Sequence, residues 1–141
     1  MNQAILSVGS NIDPEQNCRK AEAILAQEHR LVGQSRYILT KPVGISGLLS
    51  GSVSGSTNQD IADFLNGAYC VETALDFGEF NGYLKVVEQR LGRVKTVVKS
   101  RSQPIDLDII FWNGELMRPK DYQQDHVRLV VDELLATHPL K

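Results

Sequence analysis

The sequence predicts an α+β domain, an antiparallel sheet covered by two helices in a two-layer sandwich, followed by a short C-terminal tail. Three observations predict it. Strand-like runs and two stretches of helical spacing follow one another in the order βαββαβ. Each helical stretch is bounded by residues that start or stop helices. With 141 residues, the chain is long enough to bury roughly 68% of its unfolded surface around one core, so residues 1–141 read as a single domain.

The elements are justified in order. QAILSV, residues 3–8, is a short apolar run stopped by the turn cluster Gly9-Ser10-Asn11, which predicts a first strand. Asp13-Pro14-Glu15 then offers an N-cap, a proline for the first helical position and an early acid. Cys18, Ala21, Ile24 and Leu25 follow at helical spacing to about Glu28. LVGQSRYILT, residues 31–40, predicts a second strand with a bulge at its glycine, ending at Lys41-Pro42-Val43-Gly44. Residues 45–60, rich in glycine and serine, offer little to bury and predict a mobile loop that is either functional or slack.

FLNGAYCVETAL, residues 64–75, predicts a third strand antiparallel to the second. A second helix is expected over Asp76–Leu91 from Phe80, Leu84, Val87 and Leu91, closed by Gly92. After the basic segment 93–104, PIDLDIIFW alternates so that Ile105, Leu107 and Ile109 face one way and Asp106, Asp108 and Ile110 the other. That is the fourth strand, and βαββαβ in this order is the ferredoxin-like arrangement. The tail holds HVRLVVDELLATHP, either a helix or a short strand followed by one.

Composition excludes several function classes. A net charge of -2 gives no bulk electrostatic case for nucleic acid or an anionic membrane. Cys18 and Cys70 lie far apart without CxxC spacing, which argues against both a zinc site and a disulfide framework. No run approaches the roughly 20 apolar residues of a membrane helix, and the start lacks the basic region of a signal peptide. The expectation is a cytoplasmic monomer that binds small molecules, with no nucleic-acid or membrane partner.

Asp106 and Asp108 pose the chemical question. Residues i and i+2 on a strand stand about 6.5–7 Å apart on one face, and two carboxylates there repel unless one is protonated or a cation lies between them. Magnesium suits such a pair, because it keeps waters and takes the rest of its ligands from a phosphate chain. Arg93, Lys95, Lys99 and Arg101 lie just upstream and would neutralise the same phosphates. The same spacing also occurs on solvated edge strands. No GxxxxGK[ST] is present, so any nucleotide site is of another type.

LSVGSN (6–11), TKPVG (40–44), FLNGAYCVET (64–73), VEQRLGR (87–93) and IDLDII (105–110) together resemble the 6-hydroxymethyl-7,8-dihydropterin pyrophosphokinases of folate biosynthesis, in that family's order and at similar intervals. The resemblance implies a similar βαββαβ fold. It also implies transfer of the β,γ-pyrophosphoryl group of ATP to the pterin hydroxymethyl group, with release of AMP. Asp106 and Asp108 would be ligands of two Mg2+ ions. Thr40, Val43, Gly44, Phe64 and Asn66 would bind the pterin, and Glu88, Lys99 and Tyr122 the nucleotide. Arg93, Lys95, Lys99 and Arg101 would form the basic catalytic loop.

The chain also departs from the family pattern. Gln103 stands where an arginine is typical, Asp121 where a histidine is expected, Leu129 where an aromatic commonly stacks on the pterin, and Ser100 where the basic loop carries a bulky aromatic. A glutamine cannot bring charge to a transition state. Two rivals therefore stand beside the kinase: a degenerate relative that binds pterin or nucleotide without turnover, and an RNA-binding or regulatory module of the same topology. The RNA version lacks the aromatic-rich strand signature such modules use.

Overall fold

The computed structural model describes residues 1–40, 64–92 and 105–140. The strands are β1 (Asn2–Ser10), β2 (Arg30–Gln34), β3 (Ile38–Thr40), β4 (Phe64–Thr73), β5 (Asp106–Trp112) and β6 (Glu115–Leu116). The helices are α1 (Pro14–Glu28), α2 (Phe77–Arg90), α3 (Pro119–Tyr122) and α4 (Asp125–Thr137). They form one sheet in the order β2-β4-β1-β5-β6, with β3 also paired to β4. Every pairing is antiparallel. The α+β class, the four principal strand regions and the two main helices lie where the sequence places them.

Strand β1 is central and almost wholly buried, which its apolar run from Ala4 to Val8 allows. Its alternate side chains feed two cores. Ala4, Leu6 and Val8 join Tyr69, Val71, Ile105, Leu107 and Ile109 against Cys18, Ala21 and Leu25 of α1 and Phe80, Leu84 and Val87 of α2. Ile5, with Ala68, Cys70, Ile110 and Phe111, packs on the other face against Val127, Val130, Val131 and Leu134 of α4. The tail is therefore a helix that adds a layer over part of the sheet's second face. Cys18 and Cys70 are not disulfide-bonded and are buried in different cores, so the thiols stand on opposite sides of the sheet. Burial, with Glu22 alongside, pushes Cys18 up to about 12.

Three local details differ from the sequence reading. Residues 31–40 form two strands because Ser35 diverts the ladder: its Oγ accepts from Ala68 N at 2.9 Å, and Arg36 N donates to Glu133 Oε2 of α4 at 2.8 Å. The bulge falls between Leu31 and Gly33, as the glycine predicts. A Cβ on Gly33 would stand 2.3 Å from His138 Nε2, so a side chain here would force the His138 ring, just beyond the end of α4, to move.

Asp13 precedes α1, but with φ 41 it makes no side-chain cap. Ser10 Oγ and Asn17 Nδ2 instead converge on the Ile12 carbonyl at 3.1 and 2.6 Å and fix the turn. Asp76 does cap α2, exchanging bonds with Glu79 in a capping box.

Asn113-Gly114, both at positive φ, turn β5 back into β6. This dipeptide is a hairpin signal that the sequence reading did not use.

Candidate active site

Strand β5 carries a bulge beside β1: Leu6 pairs with Ile109 and Ile5 with Phe111, leaving Ile110 as the extra residue. Ile110 and Phe111 both turn toward α4 in consequence. Before the bulge, Leu107 and Ile109 point into the α1–α2 core, so Asp106 and Asp108 project from the opposite face. In register, Gly9 of β1 lies opposite Asp106, Asn66 of β4 opposite Gly9, and Ile38 of β3 opposite Asn66. Asn66 and Asp106 are thus two strand spacings apart, about 10 Å, on a face whose middle strand offers only glycine. The buried apolar cluster under α4 reaches Ala68 on β4 and has Ile38 of β3 packed against it, so the row borders that cluster.

Asn66 is 7% exposed and its Nδ2 donates to Thr40 Oγ1 at 2.6 Å, while a Cβ on Gly9 would come within 3.2 Å of Asn66 Oδ1. A bare residue 9 and an oriented amide produce a flat floor with a fixed polar end. Phe64 pairs with Thr40 at its margin.

At the other end Asp108 is strongly perturbed. Burial, then the negative charge of Asp106, raises its carboxyl to about 6, against the opposing pull of Lys85 and Arg118. Lys85 Nζ stands 3.6 Å from Asp108 Oδ1 and Arg118 Nε 3.9 Å from it.

Glu88 is 4% exposed. Its Oε2 accepts from Leu107 N at 2.7 Å and from Lys85 at 3.2 Å, and Lys85 also donates to Leu107 O at 3.2 Å. Strand β6 pairs only with Phe111 and Trp112, so α2 supplies partners for the β5 backbone between the two aspartates. Glu88 acts on the site by holding that backbone.

Tyr122 packs edge-on against Phe111, lies under Arg128 at 5.5 Å and donates its hydroxyl to Asp132. Asp121 is ion-paired with Arg118, and Leu129 is 57% exposed on α4. Val43, Gly44, Arg93, Lys95, Lys99, Ser100, Arg101 and Gln103 lie outside the described residues, as do both expected loops. Lys85, Arg118 and Gly9 are site residues that sequence reasoning missed. Lys85 sits three positions before Glu88 on the same helix, a spacing that puts the two side chains together.

Two carboxylates form a small donor set, and among the described residues no group of three or more His, Cys, Asp or Glu is placed to hold an ion. Such a pair fits a hard cation that draws its other ligands from water and phosphate. The carboxyl of Asp108, held protonated to unusually high pH, is the physical sign that charge is wanting there.

Fold and site together define an α+β domain with an acidic pair and a polar, flat-floored row on one face of its sheet. The family model for 7,8-dihydro-6-hydroxymethylpterin-pyrophosphokinase (HPPK) matches residues 5–136. The chain belongs to that family of diphosphokinase transferases, whose reaction is pyrophosphoryl transfer from ATP to hydroxymethyldihydropterin in folate synthesis.

Proposed function

We propose that this chain is itself an active, magnesium-dependent diphosphokinase that transfers pyrophosphate from ATP to the hydroxymethyl group of 6-hydroxymethyl-7,8-dihydropterin and releases AMP. The observation that carries this reading is the acidic pair Asp106 and Asp108 in strand register with Gly9 and Asn66. A pterin ring laid on the bare strand beside Asn66 would point its hydroxymethyl group toward the two carboxylates. The strand order β4-β1-β5, with β2 and β3 beyond β4, supports the ferredoxin-like reading of the scaffold.

In this reading Asn66, oriented by Thr40, recognises the donor and acceptor edge of the pterin, with Val43 and Gly44 offering backbone groups and Phe64 an aromatic wall. Asp106 and Asp108 hold the metals. Magnesium, when bound with ATP, neutralises the phosphates and aligns the reacting oxygens. Glu88 keeps the two carboxylates in place through the Leu107 backbone. Arg93, Lys95, Lys99 and Arg101 pair with phosphate oxygens as charge redistributes, and Tyr122 borders the nucleotide. No general base is assigned to the pterin hydroxyl.

An assay for AMP formed from ATP and the hydroxymethylpterin tests the reading. Wild type is expected to turn over, and Asp106→Ala and Asp108→Ala to lose at least about a hundredfold in kcat. Retained activity in both variants refutes the metal roles.

One observation favours a second reading, a relative that binds without turnover. Asp121 and the Tyr122 hydroxyl are engaged with Arg118 and Asp132 inside the protein. Calorimetry showing ligand binding with no AMP formed would select it.

A further inference from the structure

The Lys85 ammonium has three donors and meets three acceptors: Asp108 Oδ1 at 3.6 Å, Glu88 Oε2 at 3.2 Å and the Leu107 carbonyl at 3.2 Å. Two of these belong to the stretch that carries the acidic pair. Its side chain is 36% exposed, whereas that of Asp108 is 16% exposed, so the lysine reaches inward from the surface of α2 to a largely enclosed carboxylate. Among the described residues Arg118 is the other cation beside Asp108, but it is farther away at 3.9 Å and is shared with Asp121.

We propose that Lys85 is a resident competitor for the cation site: in nucleotide-free protein its ammonium stands in for the metal beside Asp108, and it transfers to the polyphosphate when metal and nucleotide enter together. The inference rests on the reading of the acidic pair given above. A divalent ion bound at Asp108 would stand within a few ångströms of the ammonium, and like charges so close in a partly desolvated site repel.

Without nucleotide, metal must therefore displace Lys85 and leave it with Glu88 and a carbonyl. With nucleotide, phosphate oxygens give the displaced ammonium an acceptor stronger than the one it leaves. The four-carbon stem and partial exposure allow that swing, and the Glu88 to Leu107 bond at 2.7 Å holds β5 while it happens. Lys85 thus makes the site favour a metal–polyphosphate complex over the bare ion.

The test is metal titration of the full chain, with Mg2+ followed by calorimetry and Mn2+ by the paramagnetic resonance of the free ion. Both are done alone and with a nonhydrolysable ATP analogue, on wild type, Lys85→Met and Lys85→Arg. Lys85→Met is expected to bind metal alone roughly five- to tenfold more tightly than wild type, and metal with analogue more weakly. Lys85→Arg should behave like wild type with metal alone.

A folded Lys85→Met chain that binds bare metal no better than wild type overturns the proposal. If that variant fails to fold, Lys85→Gln carries the same two outcomes. Wild type that binds metal with analogue, beside variants with no gain for metal alone, removes this inference and leaves the proposed function standing. Wild type that binds metal in neither condition removes both.

Discussion

Asp108 shows how a site can oppose the stability of its own fold. Its carboxyl titrates near 6 in the folded chain because burial and Asp106 disfavour the anion, whereas in the unfolded chain it titrates near the ordinary 3.8. A raised folded value means that stability is fully present below about pH 4 and is lost as pH rises through 6. Asp108→Asn is therefore expected to stabilise metal-free protein by on the order of 1 kcal/mol at pH 8, and not at all near pH 4. Denaturant melts at the two pH values check this, and an equal gain at both would show that charge is not the cause.

Asn66 works through orientation. Removing its amide in Asn66→Ala takes away the donor to the Thr40 hydroxyl and leaves the floor without that polar end. The expected result is a rise of roughly tenfold or more in KM for the pterin with KM for ATP little changed, read from steady-state kinetics with each substrate varied.

At the scale of elements, side chains complete what the backbone leaves open. Ser35 splits β2 from β3 by offering its hydroxyl to Ala68 N, a buried contact. Ser35→Ala strands that amide and is expected to cost about 1–2 kcal/mol, measurable by urea unfolding with an unchanged m-value. Helices α1 and α2 are joined by Glu28, which accepts from Arg90 at 2.9 and 3.0 Å and from Tyr83 at 2.7 Å. Those bonds lower Glu28 from 4.5 to about 2. The contribution is present above about pH 4.5 and lost as pH falls toward 2. Wild type should therefore lose more stability than Glu28→Gln over that window, and parallel pH melts decide it.

Across the whole molecule, what the sequence revealed followed from periodicity. Leu107 and Ile109 alternate with Asp106 and Asp108, so the strand, its two faces and the acidic pair were legible together. Helix α2 was legible from Phe80, Leu84 and Val87 with Asp76 before them. The role of Ser35 was not, because a serine in a β-rich run gives no sign that it will replace a backbone acceptor. Lys85 was hidden for a different reason: a helix surface lysine looks solvated until the strand it reaches is in place. The place of α4 over the second sheet face was likewise invisible, since an apolar tail does not say which face it will cover. Among the described residues no helix is long and apolar enough to cross a membrane.

The central position of β1 has a consequence for how the polypeptide is made. Both its neighbours are later in the chain: β4 begins at Phe64, and β5 is complete only at Trp112. During synthesis one border of the first strand to leave the ribosome has no partner until four-fifths of the protein has emerged, and a bare strand border is open to pairing with other chains. The segment that brings the acidic pair is also the one that closes this gap, so a nascent chain acquires its chemistry and its protection from aggregation in the same event.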